Sequence, residues 1–121
     1  MKIGSKLIGL DSPSYFVADI AANHDGDLNR AIDLIYKCAE AGADAAKFQN
    51  FKASTIVSDL GFKNLHSGLS HQEGWDKSVY KVYEQASLSI DWTFPLKEAC
   101  TKAGIDYFTA PYDLNIINQL F

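Results

Sequence analysis

The sequence predicts an α/β fold: parallel strands joined by crossover helices, led by a short β-hairpin. Three observations carry this. Apolar runs of strand length alternate with stretches whose apolar residues recur every three or four positions, which is the order of βαβ units. The strand runs are nearly all apolar, as parallel strands covered on both faces are. The phrases AEAGADAAKF and CTKAGIDYFT share one form: helix end, Ala-Gly, acidic residue, strand. A barrel of like units and an open doubly wound sheet would both give this weak repeat. Right-handed crossovers apply to either.

Taken in order, residues 2–8 (KIGSKLI) read as a hairpin with Gly4-Ser5 at the turn. A Pro-containing loop follows. Residues 15–20 form the first long strand, apolar except for Asp19 near its C-terminal end. Asn23-His24-Asp25-Gly26-Asp27 is a turn cluster, in which Asp25 or Asp27 caps the next helix. Leu28, Ala31, Ile32, Leu34, Ile35, Cys38 and Ala39 mark one apolar helix face, and Gly42 closes the helix in left-handed geometry. Residues 44–49 form a second strand. Residues 50–74 show no period and read as a connection without structure of its own, holding His66 and His71. Two helices follow, over 75–86 and 92–103. Asp91 is the expected cap of the second, Pro95 lies in its first turn and Gly104 ends it. Residues 105–110 form a third strand, broken by Pro111. Asp113 opens a last helical stretch to Phe121.

Composition narrows the function. At 121 residues, with 47% hydrophobic and 21% charged, the chain is long and apolar enough for one domain with a core. A net charge of −4 disfavours nucleic acid as a partner, though a few local lysines can still hold one small anion. No apolar run is long enough to span a bilayer. The opening MKIGSKLIGLDSPSYF has no continuous apolar stretch of the kind a secretion signal needs. Cys38 and Cys100 each fall late in a helix and read as packed thiols of a reducing cytoplasm. NHDGD lacks GxGxxG spacing, which disfavours a dinucleotide site.

Ligands of parallel α/β folds bind at the C-terminal ends of strands. The polar residues there are Asp19, Asn23 and His24; Lys47, Gln49 and Asn50; and Thr109, Tyr112 and Asp113. Lys47 is the most informative, because a lysine within a short apolar strand needs a wet site or a partner. Its compact charge suits a phosphate or carboxylate, and the bland alternative is a structural pair with Asp19. Asp19 either binds substrate hydroxyls and moves a proton or only neutralises Lys47. His24 reads first as bonded to loop backbone. Asn23 either binds substrate or takes left-handed turn geometry. Thr109 either donates to a phosphate or satisfies a strand end. His66 and His71 have no ligand partners at metal spacing, so no metal site is expected from this chain. Tyr80, Tyr83, Trp75 and Trp92 read as packing residues.

The segments FVADIAANHDGDLNRAIDLIYKCAEAGADAAKFQNF and AGIDYFTAPYD resemble the sialic acid (N-acetylneuraminate) synthase family, whose pattern runs AEIG.NH.GDL..A..LI..A..AGADAVKFQ and, later, STPFD. The resemblance extends over nearly the whole chain and implies the N-terminal part of a (β/α)₈ TIM barrel: a hairpin over residues 1–10, then the first three strand–helix units over 14–121. A complete barrel takes about 250 residues, so this length implies part of an enzyme, inactive by itself. The implied reaction condenses phosphoenolpyruvate with an N-acylated amino sugar to a nonulosonic acid and releases phosphate. A divalent metal, Mn or Mg, polarises the open-chain aldehyde, with ligands on later strands, after residue 121. The resemblance also implies a cytoplasmic protein, a homodimer when intact. It makes Lys47 and Asp19 the catalytic residues: Lys47 binds phosphoenolpyruvate, and Asp19, where Glu is usual, meets the sugar. Gln49, Asn23 and His24 would line the substrate site. Thr109 and Ala110 take the places of a Ser-Thr pair near the phosphate, and Ala110 lacks the hydroxyl. Two other readings stand beside this one: a non-catalytic half-barrel module binding a small anion or partner chain, and another phosphoenolpyruvate-using aldol synthase.

Overall fold

The computed structural model describes residues 1–64 and 75–120. A two-stranded antiparallel hairpin, β1 (Lys2–Ile3) and β2 (Lys6–Leu7), precedes a parallel sheet of β3 (Val17–Ala21), β4 (Ala45–Asn50) and β5 (Asp106–Pro111). Strand order follows chain order. Helix α1 (Leu28–Glu40) links β3 to β4. Between β4 and β5 come α2 (Ala53–Ile56), α3 (Asp59–Asn64), α4 (Val79–Ala86), a 3₁₀ turn (Ile90–Trp92) and α5 (Thr93–Ala103). Helix α6 (Leu114–Leu120) follows β5.

The expected hairpin, three strands and main crossover helices are all present. Asp27 is the cap of α1: its side chain accepts from the backbone N–H of Asn29 and Arg30, two donors that the first turn otherwise leaves without partners. Gly42 (φ +84°) and Gly104 (φ +75°) close α1 and α5 in the left-handed conformation. Pro95 sits in the first turn of α5, where its missing N–H breaks no helical bond.

Several boundaries differ from expectation. Residues 53–56 and 59–64, expected as loop, form α2 and α3; helices this short give no periodicity to read. The helix expected from residue 75 starts at Val79, because the Ser78 side chain accepts from the Lys81 N–H and sets the cap there. Asp91 caps nothing: it lies inside the 3₁₀ turn, and α5 starts at Thr93 with no side-chain cap. Pro111, expected to break the strand after residue 110, is instead the last residue of β5. The left-handed residues of the turn after β3 are Ala21 (φ +51°), Asp25 (φ +50°) and Gly26, not Asn23. His66 and His71 lie outside the described residues.

The core fills the space between one face of the sheet and α1 and α5. Ile20, Ala46 and Phe48 from the sheet meet Ala31 and Ile35 of α1, Leu96, Ala99 and Cys100 of α5, and Leu88. Phe48, Ile35 and Leu96 are fully buried, each contributing about 1.5–3 kcal/mol of transfer free energy. Cys38 and Cys100 are free thiols, Cys100 buried and Cys38 half-buried, and burial raises the pKa of both. No helix among the described residues is long and apolar enough to cross a membrane.

Candidate functional site

Side chains alternate across a strand, so the core face of the sheet defines the other one. Ala46 and Phe48 point to the helices; Lys47 and Gln49 therefore point to the opposite, inner face. The register carries the assignment to the neighbours. Asp19 and Phe108 are the partners of Lys47, and Ala110 is the partner of Gln49. Asp19, Lys47, Gln49 and Ala110 thus share one face, and the first two touch: Lys47 Nζ donates to Asp19 Oδ2 at 3.1 Å. The pair stays open to solvent, with 35% of the lysine and 49% of the aspartate side chain accessible. The ion pair weighed for Lys47 in the sequence is therefore present, on a face that is open in this chain.

The three remaining candidates are placed differently. Asn23 is exposed; its side-chain N–H donates to the Ile20 carbonyl (2.9 Å), and its own carbonyl accepts from Arg30 Nε (2.7 Å). His24 is fully buried. Its Nδ1 accepts from the Gly26 N–H at 3.0 Å, and its ring meets Trp92 edge to face at 5.5 Å. That is the backbone-bonding role expected first for this histidine. Burial holds its pKa below the ordinary 6.5, the nearby Asp25 only partly opposing this. Thr109 is the register partner of Phe48 and so points to the helix side. Its hydroxyl donates to Oδ1 of Asn50, which is buried. Thr109 does not share the face of Lys47, whereas Ala110 does. The hydroxyl missing at Ala110 is therefore not supplied by its neighbour.

Near this site, sequence reading gave Asn50 no role and missed a slip in the sheet. Asn50 is a buried polar anchor that joins the ends of β4 and β5 through Thr109 and, by its carbonyl, through the Tyr112 N–H at 3.0 Å. The ladder between β3 and β4 also slips between Asp19 and Ala21, and the left-handed Ala21 sits at the slip. The pattern's glycine falls on Ala21 and was the available signal for a positive φ. Among the described residues no three His, Cys, Asp or Glu side chains gather as metal ligands. They do not by themselves form the metal site that the resemblance implies.

Comparison with known proteins adds three findings. The NeuB family matches residues 34–121. Among curated relatives, the spore coat polysaccharide biosynthesis protein SpsE of Bacillus subtilis is 32% identical over 93% of this chain and 29% of its own length. The N,N'-diacetyllegionaminic acid synthase of Legionella pneumophila is 32% identical over 97% of this chain and 32% of its own. The chain thus spans about a third of the length of the curated relatives it matches. Among solved structures, the N-acetylneuraminic acid synthetase of Leptospira borgpetersenii, in complex with citrate, superposes with a TM-score of 0.76 at 28% identity, over 99% of this chain and 36% of that one. The three parallel strands with their helices are part of a TIM barrel.

Proposed function

The chain belongs to the NeuB family, and from that premise we propose that it forms the N-terminal part of a cytoplasmic synthase joining phosphoenolpyruvate to an N-acylated amino sugar. A nonulosonic acid and inorganic phosphate are the products. The observation that carries the reading is Lys47 beside Asp19 on the open inner face of the sheet, 3.1 Å apart.

In the proposed reaction the enol carbon of phosphoenolpyruvate bonds to the aldehyde carbon of the open-chain sugar, and the aldehyde oxygen takes up a proton. Water adds to the cationic centre left on the former enol, and phosphate departs. Lys47 holds the phosphoenolpyruvate as a compact cation in the strand, where a fixed charge needs no reorganisation as the reaction proceeds. Asp19 accepts hydrogen bonds from the sugar hydroxyls, and Gln49 lines the same face further along β4. A divalent metal, held by residues other than those described, would supply Lewis-acid polarisation of the aldehyde.

Phosphate release by the full-length protein from phosphoenolpyruvate and N-acetylmannosamine, or a 2,4-diacetamido-trideoxy hexose, tests the reading. Lys47→Ala is expected to lower kcat/KM by about 100-fold or more, the scale of one lost electrostatic contact to the transition state. Turnover by Lys47→Ala at the wild-type rate would refute the role.

A further inference from the structure

We propose that the Asp19–Lys47 pair is a charge latch: the incoming anion takes Lys47 away from Asp19, and the freed carboxylate then turns to the acceptor sugar. Anion binding thereby strengthens acceptor binding. The inference rests on Lys47 as an anion-binding residue and adds a coupling between the anion and acceptor parts of the site.

Three observations support it. Asp19 and Lys47 are register partners on adjacent strands and on one face, so each is the other's nearest possible ion-pair partner across the ladder. Lys47 is the sole basic residue in the three parallel strands, so the one cation that these strands offer an anion is the one already paired with Asp19. The other carboxylate in those strands, Asp106, is occupied elsewhere: it accepts from the Tyr15 hydroxyl and pairs in register with Ala45, two residues before Lys47. A multiply charged anion outcompetes a single carboxylate for a compact ammonium group. The aspartate, one methylene shorter than the pattern's glutamate, keeps its carboxylate close to β3 and within reach of the lysine. Swinging away from it takes rotation of one short side chain.

Calorimetry with phosphoenolpyruvate, on the full-length wild type and on Asp19→Asn, measures the competition. A crystal structure of the wild type with phosphoenolpyruvate shows its outcome directly and does not depend on a variant folding. The latch requires Asp19→Asn to bind phosphoenolpyruvate about fivefold more tightly, the worth of one partly exposed ion pair. It also requires Asp19 and Lys47 to stand apart in the complex. Anion bound with the pair still closed, or unchanged affinity in Asp19→Asn, overturns the latch. Lys47→Ala separates this from the parent reading: if that variant binds phosphoenolpyruvate as well as the wild type, Lys47 is not the anion site and both ideas fall. If it loses binding while the pair stays closed in the wild-type complex, only the latch falls.

Discussion

Thr109 and Ala110 stand next to each other in β5 and face opposite ways, which separates structure from chemistry at this strand end. Thr109 donates to the buried Asn50 on the helix side, whereas Ala110 pairs with Gln49 on the inner face. Thr109→Val keeps the shape and removes the donor, leaving the Asn50 oxygen buried without it. The expected loss of stability is about 1–3 kcal/mol, read from urea unfolding, with KM for phosphoenolpyruvate unchanged. A raised KM at unchanged stability would put the hydroxyl on the substrate instead. Sequence reading could place both residues at a strand end but not choose their faces. One residue of register flips every side chain, and β5 starts at Asp106 rather than at Ile105. Lys47 and Asp19 were legible for the opposite reason: a charge inside an apolar strand is conspicuous in any register.

Of the described elements, α1 was the most legible, since its cap, apolar face and closing glycine all fall where the sequence puts them. The end of β3 was not. Ala21 holds φ at +51° where the ladder slips, a conformation that costs an L-residue about 1–2 kcal/mol. Such irregularities re-aim side chains near functional sites, and this one lies two residues from Asp19. Ala21→Gly removes the steric penalty but frees the unfolded chain. The balance is an expected gain of about 0.5–1 kcal/mol in urea unfolding. A loss would mean that the packing of the half-buried Ala21 methyl outweighs the strain. The short helices α2 and α3 escaped sequence reading because four and six residues make too few turns for an apolar face to recur.

On the scale of the whole molecule, the weak internal repeat has a physical use that sequence alone did not reveal. Its two acidic residues, Asp44 just before β4 and Asp106 at the start of β5, anchor the N-terminal segment to the sheet. Asp44 pairs with Lys6 of the hairpin and accepts from the Phe16 N–H at 2.7 Å. Asp106 accepts from the Tyr15 hydroxyl and lies so close to Gly4 that a Cβ there would come within 3.1 Å of its carboxylate. The hydrogen bond from Lys6, with that from Phe16, holds the Asp44 pKa below its ordinary 3.8. Buried His24, at the other end of β3, is held below 6.5 chiefly by desolvation. Both shifts have the same sign for stability, since the unfolded chain binds the proton more readily than the folded one. Each contribution is complete above the unfolded pKa and shrinks as pH falls below it, so acid should weaken the fold in two windows. The first opens below 6.5, from His24; the second opens below 3.8, from Asp44. Urea midpoints measured across pH would show both. In His24→Asn, which keeps an acceptor near the Gly26 N–H but does not titrate, the first window should flatten and the second remain. An unchanged slope between pH 6.5 and 5 in that variant would assign the upper window to other groups.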